Sequence, residues 1–492
     1  MSKPAPTDRP ATFREVLSGG EFRSVFVASA MSWFGDNVAR AAVTALVLHQ
    51  TGSVAASALT FAISYLPWVG IGPVLTAFTE RHSYRKVMIV CDLVRALLMA
   101  AVALPGLPVP AMMGLLFATA LLNPPFDAAR SALIPQILAG DRYVVGIAMQ
   151  NAASQTATIV GYVAGATLAS YDARSTLIFN AVTFAFSAAV IALGVRPRRP
   201  VLLPTGQSGI FRQTAEGFAI VFGSPVLRAI AIISFLTVSF LVAQEGLAAG
   251  WATHLTGEES QRGLYQGLIM MSTPAGFVIG GLILTRFTGP ATRIRLIKPF
   301  AVLVPLFMVC ALFDPSIYGV VVMAAATGFV VAGLLPVING LFVQALPRAF
   351  RARAFGVVQS GVQLTQGLAI AVTGAFAERF PIHVVIGVWS LVGLVSATFA
   401  LRVWPTKAAM DSAITETQRV NRETEAQLAE AAAEAEAKVE TGPAAPAGGS
   451  EPAGDEARTA TVPRQSVPRA GQPEHPDDPT PAGLGTPTGR QS

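Results

Sequence analysis

Two carboxylates stand where carboxylates are costly. Asp36 lies in an apolar run that begins near Phe22, four residues before Arg40, and Glu245 lies in another run with no basic residue within a helical turn. Charge in hydrocarbon costs about 2.5–3.5 kcal/mol on insertion scales, so each such group needs a partner or a task. Asp36 and Arg40 share one helical face, acid before base. That spacing suits a structural ion pair, or a protonatable group beside a polar path that Asn37 would help to line. Glu245, preceded by Gln244, suits a site that takes up and releases a proton, or a carboxylate that meets water at the headgroup level. Amides recur in the apolar runs at Asn123, Gln150, Asn151, Gln155, Asn180, Asn339, Gln344, Gln363 and Gln366. They can line a cavity or hydrogen-bond between helices.

A second group, Glu80, Arg81, Arg85, Lys86, Asp92 and Arg95, gathers near the start of one run, and Asp127 and Arg130 follow in the next. Its chemistry would be that of a latch, with ion pairs that hold two halves together in one state and break in the other. Enzyme chemistry has no foothold. The chain lacks a Gly-x-x-x-x-Gly-Lys-Ser/Thr loop and a His-Glu-x-x-His pair; its histidines are scattered, and Cys91 and Cys310 are lone thiols in apolar runs. No cofactor and no metal site are expected.

The elements that must position these residues are membrane helices. Of 492 residues 52% are apolar and 13% charged, with a mean hydropathy of +0.54; a soluble domain holds nearer a quarter charged. Apolar runs fall at about 22–48, 55–79, 86–104, 109–130, 143–170 and 175–195. A more polar stretch follows, then runs at about 226–252, 262–287, 295–313, 316–346, 352–379 and 382–404. They lack the alternation of a barrel, so helices are required to satisfy the backbone in lipid. The fold class is therefore an all-α membrane protein with twelve transmembrane helices in two six-helix bundles. The divisions are an N-terminal segment 1–21, a first bundle 22–195, a basic linker 196–225, a second bundle 226–404 and a tail 405–492.

Charge sets the orientation. With both termini in the cytoplasm, the inner loops carry Arg14, Arg23, Arg81, Arg85, Lys86, Arg142, Arg196, Arg198, Arg199, Arg212, Arg293, Arg295, Lys298, Arg348, Arg351 and Arg353. The outer loops offer Arg174, Arg262 and Arg379. The linker predicts a surface helix around Phe211–Phe222. Residues 1–404 hold 27 Lys+Arg against 15 Asp+Glu, and residues 405–492 hold 8 against 14. That reversal marks a soluble acidic tail. Its part 407–440 is rich in Ala and Glu with almost no apolar face, and 441–492 has the Pro/Gly/Thr bias of disorder. The basic loops read as topology determinants, so no nucleic-acid partner is expected. A weak echo links the halves: Leu133-Ile-Pro135 with Gln150 and Gln155 after it, and Ala345-Leu-Pro347 with Gln359 and Gln363 after it. Parallel repeats of this kind build many secondary transporters.

These residues carry a family likeness. The six-plus-six array resembles the major facilitator superfamily, and local patterns resemble its drug-exporter branch typified by bacterial macrolide efflux proteins. The patterns are Trp33-Phe-Gly-Asp36-Asn-Val-Ala-Arg40, Glu80-Arg-His-Ser-Tyr-Arg85-Lys86 with Asp92-Leu-Val-Arg95, Phe126-Asp-Ala-Ala-Arg130-Ser-Ala-Leu-Ile-Pro135, Glu216-Gly-Phe with Ser224-Pro-Val-Leu-Arg228, and Arg351-Ala-Arg353. The likeness covers about 12–404. It departs at Thr76, where the loop signature has Gly, at Glu80, where it has Asp, and at Gly161-Tyr162, where the exporter pattern has Gly-Pro. The resemblance implies a monomeric carrier in the bacterial cytoplasmic membrane, surrounded by lipid. It would move a small-molecule substrate by alternating access, with protons as coupling ion and Asp36 and Glu245 as carriers. A metabolite importer, or a degenerate carrier that acts as sensor or scaffold through its tail, fits the same residues. Removing residues 406–492 would separate transport from scaffolding.

Overall fold

The computed structural model describes residues 12–68, 82–198 and 210–440. Every described element is helical. Helices α1 (Phe13–Ser18), α2 (Gly20–Thr51), α3 (Val54–Ala62, continued by a 3-10 stretch to Trp68), α4 (Tyr84–Val102), α5 (Val109–Leu121), α6 (Asn123–Ile137) and α7 (Asp141–Gly194) form the first half. Helix α8 (Ile210–Gly223) lies in the linker, where a surface helix is expected. The second half comprises α9 (Pro225–Gly246), α10 (Ala248–Leu255), α11 (Glu259–Phe287), α12 (Pro290–Val309), α13 (Ile317–Gln344), α14 (Arg351–Ala377) and α15 (Ile382–Arg402); α16 (Lys407–Glu440) follows.

Eight stretches among the described residues are long and apolar enough to cross a membrane. They are fewer than the twelve expected runs, and the differences fall in the first half. Helix α7 contains two runs on either side of Asp172, whose extended backbone (φ −155°, ψ 103°) breaks the helix where the sequence places a loop. Helices α2 and α4 carry the charges at Asp36, Arg40, Asp92 and Arg95, and the run at 55–79 leaves the described residues after Trp68.

Small residues set how closely the helices approach. A side chain at Gly165 would meet the Val38 carbonyl oxygen at 2.5 Å, and one at Gly161 the Phe34 oxygen at 3.0 Å, so α2 and α7 pack backbone to backbone. Gly276 and Gly280 do the same for α11 against α13, facing Ala325 and Phe329. Between the halves, α11 packs on α7 and α14 packs on α3. Gly263 lies against Ala166 and Ser170, and Gly267 against Val163.

Helix α16 corrects the expectation of a tail without an apolar face. Met410 and Thr417 are buried, and Ala413 and Ile414 pack with them against the core of the second half. The Thr417 hydroxyl donates to the Ala345 carbonyl at 3.0 Å, Asn421 Oδ1 accepts from the Arg348 amide at 3.0 Å, and Glu425 pairs with Arg348. The spacing 410, 413/414, 417, 421, 425 is a single helical stripe. Residues to Ala429 belong to one unit and those from Glu430 to another; residues 441–492 lie outside the described ones.

Candidate functional site

Arg40 is the centre of the arrangement. One turn beyond Asp36 on α2, its guanidinium lies 6.0 Å from the Phe61 ring centroid and 5.8 Å from that of Tyr65, within cation–π range. The Tyr162 phenol of α7 lies against Arg40 and donates to Glu245 Oε2 at 3.4 Å. The polar neighbour that the sequence does not place near Glu245 therefore comes from the opposite half. Among the described residues Asp36 makes no direct ion pair with Arg40, and the carboxylate paired with Arg95 is Asp92. Asp36, Arg40, Thr60, Ser64, Asn123 and Asn180 line a cavity of about 50 Å³, which has room for water and not for a drug-sized molecule.

Arg95 is 2% exposed and Asp92 is fully buried. Arg95 Nη1 lies 3.6 Å from Asp92 Oδ1 and donates to Ser32 Oγ at 3.4 Å; its Nη2 donates to Asn123 Oδ1. The Phe126 and Phe184 rings flank it at 5.0 and 5.4 Å. Arg130 pairs with Asp127 at 3.0 Å and stacks on Trp33 at 4.5 Å. Arg85 donates to the Ala192 carbonyl at 2.6 Å, and Lys86 is exposed. All these contacts lie within the first half. Glu80 and Arg81 lie outside the described residues.

The remaining sequence candidates disperse. Asn37 donates to the Trp33 carbonyl at 2.8 Å and to Thr158 Oγ1 at 3.2 Å, tying α2 to α7. Gln244 is buried and donates to Thr273 Oγ1 on α11. Gln155 is half-buried, and Asn339 and Gln344 are exposed.

Three contacts escape sequence reasoning. Gln266 of α11 donates to the Ala41 carbonyl at 2.9 Å and to Thr44 Oγ1 at 3.0 Å, reaching across the halves. Glu378 Oε1 accepts from Ser53 Oγ at 2.5 Å and from the Ala55 amide at 2.7 Å. These bonds hold the Glu378 carboxyl below its ordinary value of 4.5. Tyr162 had a signal: it stands where the sequence departs from the exporter pattern. Gln266, Glu378 and Tyr162 each join the two halves, and Ser360 adds a bond to the Trp68 carbonyl at 3.1 Å.

An all-helical array with eight stretches long and apolar enough to cross a membrane among the described residues defines a multi-pass membrane protein. The Major Facilitator Superfamily model matches residues 25–313, and the chain belongs to that family. It is 22% identical over 383 residues to the multidrug efflux pump Tap of Mycolicibacterium fortuitum, covering 74% of this chain and 91% of that one. It is 22% identical over 374 residues to macrolide efflux protein A of Streptococcus pyogenes, with the same coverage. Among solved structures, the nucleoside transporter NupG superposes with a TM-score of 0.62 at 14% identity, covering 78% of this chain and 99% of NupG. The peptide transporter POT superposes with a TM-score of 0.62 at 14% identity, covering 80% and 96%. The protein is a multi-pass transporter of the plasma membrane.

Proposed function

We propose that this transporter exports small amphipathic compounds in exchange for protons. It does so as a monomer with twelve spanning helices and both termini in the cytoplasm. The observation that supports the reading is the Tyr162 phenol, which lies against Arg40 in one half and donates to the other half's Glu245 at 3.4 Å. An ionised Glu245 draws Arg40 across the interface. A proton on Glu245 removes that attraction and leaves Arg40 to Asp36 alone. Proton occupancy and the closing of the halves are thereby coupled, as alternating access requires.

With the termini inside, Ser53, Ser170, Gly263 and Glu378 stand at the outer ends of their helices. Glu378 with Ser53 and Gly263 with Ala166 bring those ends together. The conformation is then closed toward the outside, the state in which an exporter loads from within. The names of the two sequence relatives favour export and drug-like cargo; the nucleoside and peptide transporters share the fold alone.

The test uses everted membrane vesicles holding wild type, Glu245→Gln or Asp36→Asn. Energised wild-type vesicles accumulate a fluorescent amphipathic cation or a macrolide, and a protonophore abolishes the uptake. Uptake instead by right-side-out vesicles makes the protein an importer. Wild-type rates in both variants, with an unchanged protonophore response, remove Asp36 and Glu245 as proton carriers.

A further inference from the structure

A polar cluster outside the transport pathway has the composition of a metal site. His254 lies in the last turn of α10, Asp314 ends the 3-10 turn Cys310–Phe313, and His383 lies in the first turn of α15. The sequence separates them widely, and scattered histidines predict no metal. The fold brings one potential ligand atom from each to within 4.8 Å of the others. His254 Nε2 lies 3.1 Å from Asp314 Oδ1, and His383 Nδ1 lies 3.4 Å from the same oxygen. The two imidazoles stack with centroids 5.3 Å apart.

We propose that His254, Asp314 and His383 bind a borderline divalent transition metal of the Zn2+ class, with water completing the coordination. Bonds of about 2.0–2.1 Å at tetrahedral angles place ligand atoms roughly 3.3 Å apart. The two nitrogen–oxygen separations bracket that length. Two imidazoles and one carboxylate select Zn2+, Co2+, Ni2+ or Cu2+ over Ca2+ and Mg2+, which prefer all-oxygen shells.

A further observation points to a ligand. His383 Nδ1 is buried yet makes no hydrogen bond, although its side chain is 16% exposed; such a nitrogen wants a partner. Asp314 is the non-glycine residue among the described ones with a left-handed backbone (φ 48°, ψ 61°). Asp adopts that conformation at helix ends, and here it caps the 3-10 turn. Trp251, Ala311, Ile317, Ile382 and Ile386 pack in one core cluster beneath the three side chains and hold their elements in register. With His254 40% and Asp314 51% exposed, an ion can enter from solvent.

The experiment uses the full chain, purified in detergent through a tag free of histidine and stripped with chelator, with Co2+ and Zn2+ as probes. Wild type is expected to develop the visible absorption of four-coordinate Co2+ and to bind one Zn2+ per chain with a rise in melting temperature. His254→Gln, His383→Gln and Asp314→Asn should each weaken binding at least tenfold and lose the rise. His49→Gln should leave both unchanged. The metal-free melting temperature of each variant shows whether its fold is intact, and the wild-type Co2+ spectrum stands apart from the variants. A wild type without that spectrum overturns the site. So does stoichiometric binding that survives any of the three substitutions.

Discussion

In the first half, Asp36, Arg40, Asp92, Arg95, Asp127 and Arg130 all lie within helices α2, α4 and α6, and Asp92 and Arg95 are buried there. In residues 226–404 the carboxylates other than Glu245 (Glu258, Glu259, Asp314 and Glu378) stand at helix ends, and the buried polar side chains are uncharged, among them Ser234, Gln266, Thr327, Thr373 and the Gln244–Thr273 pair. One bundle is internally cross-linked by charge; the other presents one ionisable group to it. A carboxylate that depends on the opposite half for its polar neighbour is sensitive to whether the halves touch. A carboxylate paired inside its own bundle is not.

This contrast can be broken experimentally. The largest effect is expected inside the first bundle: Arg95→Met leaves the Asp92 carboxylate buried and unpaired, at a cost of about 3–5 kcal/mol. It should appear as lost expression or a collapsed melting temperature, and adding Asp92→Asn should restore part of it. Stability unchanged by Arg95→Met would show that the network does not brace the bundle. Next comes Glu245→Gln, expected to keep the fold and melting temperature while reducing proton-driven transport at least tenfold.

A side chain at Gly263 separates interface from interior. Gly263→Leu overpacks the contact with Ala166 and Ser170 between the halves, whereas Gly165→Leu overpacks Val38 within one half. Each costs about 1–3 kcal/mol. The first should shift the population toward an outwardly open form, read as increased labelling of a cysteine at Ser53 by an impermeant thiol reagent. The second should lower the melting temperature without that shift.

The smallest effects concern single hydrogen bonds. Tyr162→Phe should slow transport a few-fold, in keeping with roughly 0.5–1.5 kcal/mol for one such bond. Glu378 has its carboxyl lowered by Ser53 and the Ala55 amide, so its contribution to closure is full above 4.5 and fades as external pH falls through the lowered value. Glu378→Gln mimics the protonated carboxyl, so it should bring the weakened closure to pH 7 and abolish its acid dependence. An acid response identical to wild type would dismiss the clasp.

Much of the fold was legible because lipid permits few solutions: apolar runs become helices, and the break at Asp172 falls between two of them. Asp36, Arg40 and Glu245 could be picked out singly, since charge in an apolar run is conspicuous. Their conjunction could not, because nothing in a linear pattern sets the register of one bundle against the other. Tyr162 surfaced only as a departure from a motif. His254, Asp314 and His383 share no spacing, and loop geometry alone unites them. The stripe on α16 is hidden in the sequence because Met410, Ala413, Ile414 and Thr417 are diluted by alanine and glutamate.

The docked start of α16 changes how the tail should be trimmed. A stop codon after Pro405 would bare Ala345, Leu346 and Ala400 and strip Arg348 of both its recorded partners. Loss of phenotype would then report faulty assembly and say nothing about a signalling appendage. Truncation after Ala429 leaves that plinth under the second bundle, and asks what the remaining acidic extension is for.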